Sequence, residues 1–214
     1  MVEDSTNQIA LPSHTLTILD KLVSQTSLSR FDLFNVLVIS IGSECGFYDA
    51  DLEIEVNKYP GYPFNNFDKN FINDCANLFT YKPDKNFFNF IFKFINCPAA
   101  KVFLTCIFSS DIVIVTAKNL KNGAPVMSGF SIAVSLSRYV PFDFNNDFPH
   151  KTFRKLKEFS KNLKNEIFLP CRCQIYQSIN RMNPSLIGIP IEVLDKIFLF
   201  LNSQDKNNFK SALR

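Results

Sequence analysis

The chain has 214 residues, 46% of them hydrophobic and 20% charged, enough for one substantial core or a domain with a small appended module. A net charge of +3 is too mild to point to nucleic acid. No uncharged apolar run approaches the ~18 residues that a membrane-spanning helix needs, and the opening MVEDSTNQIALPS is too acidic and polar for a secretory leader.

Residues 1–12 are expected to be disordered. From there "HTLTILDKLVSQTS" places Leu16, Leu19 and Val23 at helical spacing, and "FDLFNVLVISI" is apolar on nearly every side, the pattern of a buried helix ended by Gly42 or Gly46. Residues 49–73, rich in Asn, Asp, Pro and Gly, read as a long loop with turns.

The middle of the chain is β. In "NFFNFIFKFIN" the residues Phe88, Phe90, Phe92 and Phe94 fall on one face of a strand, with Asn89, Ile91 and Lys93 on the other. "AKVFLTCIF" and "DIVIVTAKNL" are joined by the short turn "SSD", a hairpin signal, and "KNGAPV" turns the chain into a further strand. Consecutive short strands with tight connections imply an antiparallel sheet.

Helical periodicity returns after Pro149. Phe153, Leu156, Phe159, Leu163 and Ile167 form one apolar stripe, Pro170 should kink or interrupt it, and Ile175, Ile179 and Met182 continue it to a hinge at "NPSLIG". The fold class is therefore α+β: an antiparallel β-sheet flanked by helices over residues 13–182, followed by a short helical module over 188–214.

Catalytic chemistry finds no support in these residues. There is no P-loop, G-x-G-x-x-G or H-E-x-x-H motif, and six glycines leave little for a phosphate-cradling loop. The two histidines, His14 and His150, both flank expected helices. Cys171 and Cys173 would point about 200° apart on a helix, a poor start for a zinc site. We expect no enzyme activity, no cofactor and no metal. The six cysteines read as buried free thiols in a protein of the cytoplasm and/or nucleus. The basic run "HKTFRKLKEFSKNLK" reads better as the solvated face of an amphipathic helix than as a nucleic-acid site, because Phe153 and Phe159 belong to the apolar stripe.

The stretch "IPIEVLDKIFLFLN" is different. On a helical wheel Val193, Leu194, Ile197, Phe198 and Leu201 span about 140°, opposite Glu192, Asp195 and Lys196, while Leu199 falls among the polar residues and Phe200 beside the arc. Pro190 suits a first helical turn. Either this helix docks on its own domain or its apolar face receives another protein.

With its neighbour "NSQD" this stretch resembles the opening of an F-box, the matching positions being Ile189, Pro190, Glu192, Val193, Leu194, Ile197, Phe198 and Leu201. Upstream, "LPSHTLTILDKLVSQTS", "NFFNFIFKFINCPAAKVFLTCIFSSDIVIV" and "FRKLKEFSKNLKNEIFLP" resemble, in order, the leading helices, strands and long helix of an FP domain. The arrangement is that of the FP-domain F-box family of F-box only protein seven, whose FP domain also occurs in a proteasome inhibitor protein. The resemblance implies a non-catalytic substrate receptor of an SCF-type ubiquitin ligase with a link to proteasome regulation.

Its implied partners are a Skp-type adaptor, through it a cullin, and the FP domain of the proteasome inhibitor or a second copy of the chain. Membranes and nucleic acid are not among them. The implied adaptor contacts are Ile189, Pro190, Val193, Leu194, Ile197, Phe198 and Leu201. FP pairing points to the strand Ile112, Val113, Ile114 and Val115 with its neighbours. The F-box match runs out at Arg214, so the F-box is read as partial, leaving "DKNNFKSALR" for a second helix and less apolar area to bury against an adaptor. Two other readings remain: an FP scaffold that regulates the proteasome by dimerisation alone, and a domain that encloses an apolar small molecule between the Phe-rich sheet and a helix.

Overall fold

The computed structural model describes residues 11–24, 28–59, 69–80, 87–121, 124–143, 152–180 and 191–212. Helix α1 (Ser13–Val23) buries Ile18, Leu19 and Leu22, and α2 (Arg30–Glu44) follows it. The start of α2 is sealed by a capping box. The Ser29 hydroxyl accepts from the Asp32 backbone N–H, and the Ser29 N–H donates to the Asp32 carboxylate at 2.8 Å. Every residue of α2 from Leu33 to Ser43 is buried, which explains why its sequence carries no polar stripe.

The helix does not stop at Gly42. It runs to Glu44 and ends before Gly46, which takes the left-handed conformation at φ 85° that glycine accepts without strain. Gly42 serves packing instead. A Cβ there would lie 3.0 Å from the ring of Phe168 and 3.5 Å from that of Phe92.

Where it is described, the stretch 49–73 is more ordered than its composition implies. Strand β1 (Phe47–Asp49) leads into a 3₁₀ turn at Val56–Lys58, and α3 (Lys69–Leu78) begins inside the expected loop. The helix is easy to miss because its Asn, Asp and Lys dilute a short apolar face of Phe71, Cys75 and Ala76. It is held to α1 by Lys21, whose ammonium donates to the carbonyls of Ala76 (3.1 Å) and Asn77, a cation placed at a helix C-terminus.

Strands β2 (Phe87–Phe94), β3 (Cys97–Ser109), β4 (Ile112–Lys121) and β5 (Ala124–Ser135) join β1 in a five-stranded antiparallel meander, in sequence order. The expected alternation holds in β2: Phe88, Phe92 and Phe94 are buried and Phe90 is half-buried, while Asn89 and Ile91 are exposed. The hairpin at "SSD" is also present, with Ser110 at φ 56° between β3 and β4.

After β5 come a single helical turn α4 (Leu136–Tyr139), then α5 (Leu156–Leu163), a π-helical stretch over Lys164–Phe168, and α6 (Leu169–Ser178). The stripe begins later than its periodicity implies. Phe153 precedes the helix, because Lys155 sits in the left-handed region at φ 48° and starts a new turn. Pro170 interrupts regular α-geometry as expected, but through the five-residue π stretch before it rather than by ending the helix. A proline cannot donate to the carbonyl four residues back, and the wider turn absorbs that loss. Helix α6 ends at Ser178, while Met182 and the expected hinge at 183–188 lie outside the described residues. Two further helices follow, α7 (Ile191–Phe200) and α8 (Ser203–Ala212).

The architecture is α+β. One sheet face, with Phe92, Phe94, Val102, Leu104, Val113 and Val115 fully buried, packs under α2 and the π stretch with α6. The centre is aromatic: Phe47 meets Phe94 at 5.2 Å and Phe168 at 5.5 Å between ring centroids, and Phe34 meets Phe159 at 5.2 Å. Phe168→Ala should cost about 3–5 kcal/mol in denaturant unfolding. Gly42→Ala, which crowds the same ring, should cost about 1–3 kcal/mol. Because both changes act on one contact, the double variant should lose less than the sum of the two.

Candidate interaction surfaces

Of the expected adaptor-binding residues, Val193, Leu194, Ile197 and Phe198 lie on α7 and Leu201 follows its end. Ile189 and Pro190 lie outside the described residues, and Val193 and Leu194 are placed on the helix with their side chains undescribed. Ile197, Phe198 and Leu201 are half-buried. Part of that cover comes from α8, the second helix. Asn202 caps it: its side-chain oxygen accepts from the Asp205 N–H at 2.8 Å while its amide donates to the Asp205 carboxylate at 2.6 Å. Phe209 of α8 then meets Phe198 with 6.2 Å between centroids, and the Lys206 ammonium lies 5.3 Å from the centre of the Phe198 ring.

Next to them, large apolar side chains are left in solvent: Leu199 is 75% and Phe200 90% exposed. The helical wheel set them outside the apolar arc. What singles them out is the helix pairing, which turns the Phe198 side toward α8 and leaves the next residues uncovered.

The second surface is the face of the sheet away from the helices. Of the strand residues expected for FP pairing, Ile112 is 52% and Ile114 38% exposed, whereas Val113 and Val115 are fully buried in the core. The alternation of a β-strand imposes this division, so only Ile112 and Ile114 can meet another molecule. Nor can the strand offer an open edge, since β4 is hydrogen-bonded to β3 on one side and β5 on the other. Ile107, directly opposite Ile114 across the β3–β4 ladder, and Ile91 on β2 extend the same face.

A polar knot stiffens the end of this surface. The Asp111 carboxylate accepts from the hydroxyls of Ser135 (2.6 Å) and Ser137 (2.7 Å), from the Ser137 backbone N–H (2.9 Å), and from Arg30 at 3.4 Å. Those hydrogen bonds, led by the two serine hydroxyls, lower its pKa to about 2. Arg30 also donates twice to the Val140 carbonyl, at 2.7 and 3.0 Å, and its guanidinium lies 3.6 Å from the centre of the exposed Phe142 ring.

Elsewhere the titratable groups are structural. His14 Nε2 lies 3.3 Å from the Glu44 carboxylate, which also pairs with Lys164 at 2.7 Å. Burial raises the Glu44 pKa, but its hydrogen bonds with His14 and Lys164 outweigh that and leave it lowered. Burial pushes the thiols of Cys45 and Cys171 up to about 12 and raises those of Cys75 and Cys106 as well. A thiolate nucleophile is disfavoured at all four. Cys171 is buried and Cys173 half-buried, as their separation on α6 requires.

Within the basic run, Phe159 is buried and Phe153 half-buried, so neither forms an exposed stacking platform. Among the described residues no three His, Cys, Asp or Glu side chains are gathered to hold a metal ion, and no helix is long and apolar enough to cross a membrane.

No family model matches the chain. Protein nutcracker of Drosophila melanogaster is 37% identical to it over 81 residues, a stretch that covers 37% of this chain and 26% of the fly protein. The chain thus spans about a quarter of the length of the curated relative it matches.

Two outcomes follow from the side-chain environments. Asp111 has a lowered folded pKa, so its contribution to stability is present above its unfolded value near ~4 and is lost as pH falls toward about 2. Acid unfolding of Asp111→Asn should therefore show a flatter pH dependence across that window than the parent. In the native protein Cys97 and Cys173, both half-buried, should react with a thiol reagent, while Cys45, Cys75, Cys106 and Cys171 should react only on unfolding.

Proposed function

We propose that this chain is a non-catalytic adaptor of the ubiquitin system, a substrate receptor of SCF type working in the cytoplasm or nucleus. Residues 188–214 act as an F-box-like module that docks a Skp-type adaptor, and through it a cullin. Residues 13–182 act as an FP-like domain that brings in a second protein with a link to proteasome regulation. The observation that carries this reading is α7, which matches the leading F-box pattern and leaves Leu199 and Phe200 in solvent beside Ile197 and Phe198. The match to Protein nutcracker agrees with it, since nutcracker is a fly member of the family that the sequence resembles.

In this mechanism the chain performs no bond chemistry. Binding energy would come from apolar area removed from water along α7, about 25 cal/mol per Å². Helix α8 packs Phe209 against Phe198 and so borders the docking face.

A second reading rests on the open sheet face: an FP scaffold that acts by homodimerisation, or by pairing with the proteasome inhibitor's FP domain, without a working F-box. Ile107, Ile112 and Ile114 form the apolar row that would carry it.

Co-purification with a recombinant Skp-type adaptor decides the first reading. The parent chain should be retained, and the double variant Leu194→Asp with Phe198→Asp should lose at least about tenfold in retention, equivalent to about 1.4 kcal/mol. Unchanged retention removes the proposed contact. Solution mass, alone and mixed with the proteasome inhibitor, decides the second. A strict monomer that ignores the inhibitor counts against it, whereas a dimer lost on Ile112→Glu supports it.

A further inference from the structure

Between α2, α5 and the chain entering α1 lies a cleft of about 250 Å³ with an almost wholly apolar lining. Helix α2 contributes Leu37, Ser40, Ile41 and Glu44, which fall on one face at helical spacing. Leu156 and Ser160, one turn apart, line it from α5, and Leu11 and Pro12 border it from the start of α1. Ser40 and Ser160 are small, so each helix leaves unfilled a space that a larger side chain would occupy. An apolar cavity of about 150 Å³ already admits benzene, whereas drug-sized ligands occupy about 300–1,000 Å³. The cleft therefore fits one large apolar side chain better than a drug-sized molecule.

The charge around the cleft is one-sided. Lys157 forms part of its wall and is exposed, so its stem borders the apolar space while its ammonium reaches the water outside. Lys161 follows one turn later on the exposed side of α5, and neither lysine has an ion-pair partner among the described residues. The carboxylate in the lining, Glu44, is already engaged by Lys164 at 2.7 Å and by His14 Nε2 at 3.3 Å. It is spent on the protein itself and does not oppose an incoming anion. Four residues along a helix, Lys157 and Lys161 are about 6 Å apart along its axis. That is close to the ~6.6 Å between alternate residues of an extended chain. The cleft thus combines room for one apolar anchor with two unpaired cations at the repeat of a strand.

We propose that this cleft docks an acidic linear peptide of another protein. One large apolar side chain, a leucine or a phenylalanine, fills the space lined by Leu37, Ile41 and Leu156. Carboxylates one and three residues further along the peptide pair with Lys157 and Lys161. Exposed ion pairs are weak by themselves, so the buried anchor supplies most of the affinity and the lysines select acidic sequences. A nucleic acid would meet the lysines but has no aliphatic side chain to place in the cleft. The site shares no residue with α7, α8 or the outward isoleucines of the sheet, so it stands apart from the adaptor and sheet-face readings.

Fluorescence anisotropy on the full chain provides the test, with the fluorescein-labelled peptide Gly-Ser-Leu-Glu-Ser-Glu-Ser-Gly as probe. The peptide should bind, and replacing its leucine by serine, or both glutamates by lysine, should weaken it at least about tenfold. The double variant Lys157→Glu with Lys161→Glu should weaken the acidic peptide as much and bind the lysine peptide instead. Its melting temperature should match the parent's, since both residues are exposed. Leu156→Asp places a carboxylate in the cleft at a helix start, where aspartate is tolerated, and should abolish binding. If that variant fails to fold, the leucine-to-serine peptide tests the anchor in its place. The proposal is overturned if the acidic peptide does not bind at about 1 mM. It is also overturned if charge reversal at both lysines leaves binding unchanged, or if the serine peptide binds as well as the leucine peptide, which would reduce the site to a non-specific cationic surface. Binding only after residues 1–9 are removed would assign the cleft to the chain's own N-terminal segment. A solution mass that falls on Lys157→Glu would assign it to a second copy, and either result overturns the proposal as well.

Discussion

Everything in the α+β domain depends on one aromatic contact, the ring of Phe168 lodged between Gly42 of α2 and Phe47 and Phe92 of the sheet. The missing side chain at Gly42 lets that ring come close to the helix backbone. The ring in turn fixes where the π stretch crosses α2, and so where α5 and α6 lie over the sheet. Close packing of this kind tolerates few changes of volume, and this is why the helix passes through a glycine that would ordinarily invite it to stop.

That contact commits one sheet face to the core and leaves the other open. Antiparallel sheets accept this arrangement because each strand alternates its side chains between the two faces. On β4 the alternation sends Val113 and Val115 inward and leaves Ile112 and Ile114 in solvent. The Asp111 knot with Ser135, Ser137 and Arg30 then ties the hairpin end to α2 and α4, giving the open face a rigid border. Apolar residues on a rigid surface lose little entropy on binding, so both the isoleucine row and the α7–α8 pair suit protein contacts better than chemistry.

Much of this was legible in the residues. The two-residue period of the phenylalanines in β2, the hairpin at "SSD" and the helical stripe through Phe159, Leu163 and Ile167 each depend on neighbours close in the chain, and each is present. The failures have a common cause. Helix α3 was hidden because its stability comes from Phe71 packing on Tyr48 and Tyr59 and from Lys21 at its end, contacts from outside its own polar sequence. The candidate surfaces were legible only as segments. A wheel drawn for α7 identifies an apolar arc but cannot know that Phe209 will cover Phe198 and leave Leu199 and Phe200 bare.

The sequence by itself determined the fold class, the direction each β-strand residue would face relative to its neighbour, and the helical spacing of the apolar residues Val193, Leu194, Ile197 and Phe198 on α7. These are matters of local periodicity, set by backbone geometry within a few residues. Only the tertiary structure decided which sheet face is covered, why a glycine sits inside α2, and which apolar residues remain in solvent. Each of those depends on a partner far away in the chain, and a partner's position in space is not written in the spacing of the residues that it meets.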